Sequence, residues 1–238
     1  GRLQTTEEVR RRFVSDASHE LKTPLASIRL LTDSLLQADH MDGETAREFL
    51  NDIGDEADRL TRITEKLLTL TRLDTAPAAE DVPVDVGAVV ERVEHMLSPL
   101  ARAVEVSLEL KLQPGCVVLA TEDDLYQIAF NLMENAVKYN LPGGRVLVTL
   151  TADGGRVVLR VEDTGVGIPE ADLPKIFDRF YRVDKARSRA AGGTGLGLSI
   201  VRDTVLQHGG AVTARRREPE GTCFEVSFAQ WNGEEVGR

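Results

Sequence analysis

No run of apolar residues in this 238-residue chain approaches the roughly 20 needed to cross a bilayer, and its first residues resemble no signal peptide. The residues given therefore read as soluble. Basic charge is also short. With 29 Lys and Arg against 39 Asp and Glu, the net charge is −10, which argues against a nucleic-acid partner, because a phosphate backbone needs a basic face. Cysteine is scarce: Cys116 and Cys223 stand far apart in two apolar segments without metal-ligand spacing, which reads as buried free thiols in a reducing compartment. There is no internal repeat and no low-complexity tract longer than a linker. The length suffices for a bundle plus one medium domain.

What is present begins with two apolar stripes. Val14, Ser18, Leu21, Leu25, Ile28, Thr32 and Leu35 follow at alternating steps of four and three, and Leu50, Ile53, Ala57, Leu60, Thr64, Leu67 and Thr71 repeat the pattern. The turn-forming ADHMDG at 38–43 separates them, so the pair reads as a helical hairpin. Two helices cannot cover both apolar faces against each other alone, so a second copy is expected to complete a four-helix bundle as a homodimer.

His19 sits one residue past Ser18, beside the stripe, where its ring should reach water. Thr23 shares that face, Glu20 is the immediate neighbour, and Pro24 removes a backbone donor and should bend or loosen the turn. A lone surface histidine would be the plain reading; proline inside a regular stripe weakens it. HELKTP at 19–24, preceded by FVSDAS and followed by LASI, resembles the phospho-acceptor box of bacterial two-component sensor histidine kinases over a long, ungapped stretch.

DTAPAAEDVP at 74–83 breaks every periodicity and marks a linker, giving an acceptor hairpin at 1–73 and a second domain at 84–238. A flexible connection would let the second domain approach His19 and withdraw. In that domain a helix is expected at 86–100, strands at 104–110 and 116–120, and a helix from an N-cap at Thr121 to about Tyr139, with Asp124 in an imperfect capping box. A hairpin at 146–151 and 156–162, a helix at about 194–208 and strands at 211–215 and 222–228 complete the pattern, which predicts an α/β sandwich with helices on one face.

Three segments there carry chemistry. NLMENAVKY at 131–139 places Asn131 and Asn135 one helical turn apart: carboxamide oxygens suit Mg²⁺, Lys138 supplies a charge for phosphate, and Tyr139 a flat face for a base. DTGVGIP at 163–169 puts Asp163 at a strand end, able to accept from an exocyclic amine such as that of adenine, with Gly165 and Gly167 clearing space for a ligand. GGTGLGL at 192–198, with Gly193, Thr194, Gly195, Leu196 and Gly197, leads into a helix whose N-terminal amides can face phosphates. It is neither a Walker nor a Rossmann pattern. An amphipathic helix with two chance asparagines, or a surface turn, would explain any one segment alone.

In order, these segments resemble the asparagine box and the two glycine boxes of the histidine-kinase ATP domain, a fold shared with DNA gyrase, and FDRFYRVD at 177–184 matches its phenylalanine box. The resemblance implies ATP and Mg²⁺ as cofactors, with Asn131 and Asn135 near the metal and Asn135 the preferred direct ligand. It implies Lys138, Tyr139 and Asp163 on the nucleotide, Arg182 near the γ-phosphate, and a mobile lid over 168–191. His19 would then attack the γ-phosphorus, Glu20 would accept the proton of the second ring nitrogen, and the phosphoryl group would pass to an aspartate of a response-regulator receiver domain. Thr23 would orient water in the reverse, phosphatase activity. Membrane and sensor segments would lie upstream, with 9–12 suited to a helix continuing from them, so that these residues form the cytoplasmic portion of a membrane-bound sensor. His40, His95 and His208 read as ordinary, His208 as a cation at a helix C-terminus. The rival readings are a phosphatase-dominant protein of the same architecture, a dimeric scaffold that binds nucleotide without transfer, and a gyrase-like ATP hydrolase.

Overall fold

The computed structural model of the chain describes residues 2–38, 40–75, 80–184 and 193–233, and the chain divides into two compact units, Gly1–Arg72 and Leu73–Arg238. No helix among the described residues is long and apolar enough to cross a membrane.

The first unit is two helices, α1 (Arg2–Gln37) and α2 (Gly43–Thr75). Asp42 starts α2 as its cap: Oδ1 accepts from the amides of Glu44 (3.0 Å) and Thr45 (2.8 Å). An ion pair between Glu20 of α1 and Arg59 of α2, at 3.7 Å, places the helices side by side and antiparallel across that turn. The stripes expected from sequence are only partly covered within one chain. Val14, Leu25 and Leu50 are more than half exposed, while Pro24, Ile63, Leu70 and Arg59 are buried. A hairpin helix has two apolar edges, and the sequence stripes follow the edge that the chain leaves open. Pro24 does not end α1; the Thr23 hydroxyl donates to the His19 carbonyl at 3.2 Å in the turn before it.

In the second unit a five-stranded sheet has the order β2-β4-β5-β7-β6, with β2 Ser107–Leu112, β4 Arg145–Asp153, β5 Arg156–Asp163, β6 Ala211–Arg216 and β7 Thr222–Ala229. Helices α3 (Val86–Ala103), α4 (Glu122–Lys138) and α5 (Gly197–Gln207) cover one face. Alternation dictates which strand residues meet them: Val146, Val148 and Leu150 of β4 and Val157, Leu159 and Val161 of β5 are buried with Leu132 and Met133 of α4 and Val201 and Val205 of α5. The expected sandwich is therefore present, with differences in detail. The strand expected at 104–110 begins at Ser107, because Val104 caps α3 and Glu105 turns the chain at φ 57°. It runs parallel to β4 rather than as a hairpin partner. Val82–Asp85, whose first two residues fall in the stretch read as linker, forms β1 and pairs antiparallel with β3 (Val117–Ala120). Cys116 and Cys223 are both free and fully buried, and burial pushes both thiols up.

Candidate functional site

α4 begins as the sequence suggests, with the Thr121 hydroxyl accepting from the Asp124 amide at 3.1 Å. The Asp124 carboxylate meets His208, whose Nε2 lies 2.9 Å from Asp124 Oδ2. Because His208 caps the C-terminus of α5, this contact ties the end of α5 to the start of α4 and makes the two packed helices antiparallel. An 11-residue helix is roughly 16 Å long, so the start of α5 lies beside the last turns of α4, where Asn131, Asn135 and Lys138 are. That topology brings the second glycine segment to the asparagine segment.

Within this corner the side chains differ in availability. Asn131 is buried, and its amide nitrogen donates to the Gln127 carbonyl at 2.9 Å, which leaves its oxygen as the donor atom for a metal. Asn135 and Tyr139 are half-buried, and the Lys138 amine is 2.9 Å from Glu134 Oε1 one turn back. Among the described residues no group of three or more His, Cys, Asp and Glu could hold a metal ion, so the donor set fits a cation held partly by phosphate oxygens and partly by carboxamides.

Asp163 ends β5 and is buried. Its Oδ1 accepts from the Gly165 amide (2.8 Å) and the Thr222 amide (3.3 Å). Burial outweighs these bonds and the nearby Arg217 charge, and pushes the carboxyl up to about 6. Gly165 is required by space: a Cβ there would stand 2.3 Å from the Tyr139 carbonyl oxygen, where the loop crosses the end of α4. Gly167 is required by its φ of +70°. The sequence reading missed Gly221, which has φ +111° and whose Cβ would stand 1.9 Å from the Asp163 carbonyl oxygen. Only its position before a strand could have signalled it.

Gly195 (φ +72°) passes against the backbone of Phe180, whose amide donates to the Gly195 carbonyl at 2.8 Å. Arg182 donates through Nη2 to the Thr194 carbonyl at 3.1 Å, and the Thr194 hydroxyl accepts from the Leu196 amide at 3.3 Å. Thr194 and Leu196 are buried, whereas Gly193 and Gly197 are half-buried. Leu196, the N-cap residue of α5, makes no side-chain capping bond. The phenylalanine and second glycine segments thus form one contact. Of the expected lid, 168–184 is a series of turns holding buried Ile176, and 185–191 lies outside the described residues. In the other unit His19 is exposed, with Thr23 exposed on the same face and Glu20 half-buried.

Comparison with known proteins matches two family models. Residues 9–76 match the His Kinase A (phospho-acceptor) domain, and residues 120–231 match the histidine kinase-, DNA gyrase B- and HSP90-like ATPase. The sensor-like histidine kinase SenX3 of Mycolicibacterium smegmatis is 36% identical over 94% of this chain and 59% of its own length. The solved mycobacterial sensor histidine kinase MprB is 32% identical with a TM-score of 0.54, covering 63% of this chain and 97% of that one. Histidine kinase ThkA, solved in complex with response regulator protein TrrA, shares the fold at a TM-score of 0.77 and 20% identity, over 97% of this chain and 66% of that one. The chain spans about half the length of the curated relatives it matches. With both domain models in order along one chain, and a sensor kinase of known structure aligned over nearly its whole length, this chain belongs to the two-component sensor histidine kinases.

Proposed function

We propose that the chain is the catalytic core of an ATP-dependent protein-histidine kinase, in which residues 1–73 carry the phospho-acceptor, 74–83 the connection and 84–238 the nucleotide site. The observation that carries this reading is the antiparallel pairing of α4 and α5, tied by His208 to Asp124, which sets a glycine-rich helix start beside Asn131, Asn135 and Lys138. Asp163 accepts the adenine amine. Tyr139 packs on the base, Gly165 and Gly167 let the backbone close on it, and Gly193, Thr194, Gly195, Leu196 and Gly197 line the phosphates with amides. Asn135 and Asn131 would hold Mg²⁺, which supplies charge neutralisation for the triphosphate. Lys138 and Arg182 add positive charge there. One ring nitrogen of His19 forms the bond to the γ-phosphorus as the bond to the bridging oxygen breaks, and Glu20 takes the proton from the other nitrogen.

The acceptor of the phosphoryl group is a response-regulator receiver domain, as the ThkA–TrrA complex supports by its fold. A second activity, regulator dephosphorylation, is supported by Thr23, exposed on the His19 face. The exposed half of the two stripes supports a homodimer, and the relatives' greater length supports sensor and membrane segments outside these residues. One chase experiment tests these roles. After labelling with γ-labelled ATP and Mg²⁺, added receiver domain should take up the label, and Thr23→Ala should leave that uptake intact while slowing the later loss of label from the receiver. Equal loss of uptake and release would contradict the assignment of Thr23.

A further inference from the structure

Arg59 is the one buried charged side chain among the described residues of α1 and α2. Its neighbours in the same inner stripe, Ile63 and Leu70, are apolar and fully buried. Enclosing a guanidinium between helices is costly, and an apolar residue of similar volume commonly serves packing as well or better. Hairpin stability therefore does not explain its presence. Neutralising it does not require the second helix either, since Glu56, three residues back on α2, already stands 3.7 Å from Nη1. Even so, Nη2 reaches across to α1 and meets Glu20 Oε2 at 3.7 Å.

Glu20 is the carboxylate next to His19. The Glu20 side chain is one-quarter exposed, so it has one edge toward Arg59 and another toward water. Rotation about its bonds would otherwise let the carboxylate swing away from the ring it adjoins. A guanidinium is permanently charged, and at 3.7 Å its charge draws the Glu20 carboxylate toward α2. We infer that Arg59 is a positioning residue, which anchors Glu20 so that its carboxylate stays aimed at the His19 ring for phosphoryl transfer. In that step the N–P bond forms at one ring nitrogen, the γ-phosphorus to oxygen bond breaks with its electron pair leaving on ADP, and the proton of the other nitrogen moves to Glu20. The inference rests on the kinase reading above, with Glu20 as proton acceptor.

The test is a cycle of the full chain with Arg59→Gln, Glu20→Gln and the double variant, with Arg59→Leu and Arg59→Lys alongside. Initial rates of labelling by γ-labelled ATP are measured across ATP concentration, and helicity by circular dichroism. Positioning acts on the maximal rate, so Arg59→Gln should slow it roughly tenfold with the KM for ATP unchanged. Arg59→Leu, which keeps the helices packed, should do the same, and Arg59→Lys should restore part of the rate. The double variant should be no slower than Glu20→Gln alone, because both changes remove one function. Full activity in Arg59→Gln and Arg59→Leu while Glu20→Gln is slow would overturn the inference and leave the kinase reading standing. Multiplying effects in the double variant would do likewise. A wild-type rate in Glu20→Gln would overturn both the inference and the role of Glu20, and an unlabelled wild-type chain would overturn the kinase reading itself.

Discussion

Asp163 serves two ends that pull apart. Its backbone bonds to Gly165 and Thr222 fix the loop, and its burial makes the charge that would bind an adenine amine expensive to keep. The folded carboxyl is raised from an ordinary 3.8 to about 6, so between those values the folded chain binds the proton more tightly than the unfolded one. Stability contributed by Asp163 is present at low pH and falls as pH rises through that window. Nucleotide affinity should move the other way, because a carboxylate accepts and a carboxylic acid also donates. ADP affinity, measured by titration calorimetry, should fall as pH drops below about 6, and Asp163→Asn should remove that dependence and weaken binding roughly 10- to 100-fold. At this scale the glycines of DTGVG are legible in sequence because they recur in one turn segment after a strand, although Gly165 answers to the Tyr139 backbone and only Gly167 to its own φ. Gly221 is not legible, because its constraint is the backbone of Asp163, distant in sequence and adjacent only in the sheet.

Among the elements, the least legible feature is the one that sets the site. His208 is nearly fully enclosed, with Nε2 at 2.9 Å from Asp124 and Nδ1 at 2.9 Å from Asp81, just before β1. The sequence marks it only as a helix end, and Asp124 only as a capping residue, because a separation of 84 positions carries no periodic signal. The bond to Asp124, together with Asp81, holds the His208 proton more tightly than usual and raises its pKa despite burial. The sign follows from linkage: this contribution is fully present below the ordinary 6.5 and is lost as pH rises through the raised folded value. His208→Gln should destabilise the nucleotide unit by about 3 kcal/mol at low pH, since it leaves a buried carboxylate without its cation. The loss should shrink toward alkaline pH. Fluorescence of Trp231, the single tryptophan, lines the same hollow as His208 and Asp81 and can follow the unfolding. An equal loss at both ends of the pH range would contradict the ionised pair. Helix existence, by contrast, was readable throughout, because α2, α3 and α4 announce themselves by stripe and cap, whereas β1 is four residues with Pro83 among them and its start reads as linker.

For the molecule as a whole, the sequence periodicity of the hairpin points outward as much as inward. Val14 and Leu25 of the first stripe and Leu50 of the second are more than half exposed in one chain. A second copy laid against the two stripes would bury these side chains, as the steps of three and four in the sequence suggest. Val14→Glu with Leu50→Glu should shift the molar mass by light scattering from dimer toward monomer while leaving the ATP-binding unit folded. An unchanged mass would place the dimer face elsewhere. The inner stripe of Arg59, Ile63 and Leu70 was hidden in the sequence, because a single helix with two apolar edges offers two stripes and only tertiary pairing says which is inner.

Central to the proposed function is the assignment of His19, exposed on α1 beside Glu20 and Thr23, as the phosphoryl acceptor. The most direct measurement is to incubate the chain with ATP and Mg²⁺, digest it under alkaline conditions and locate the phosphoryl group by mass spectrometry, with His19→Gln in parallel. The modification should be found on the peptide holding His19, should be lost on acid treatment and should be absent from the variant. A modification that persists in His19→Gln, or none on a chain that demonstrably binds ATP, would contradict it.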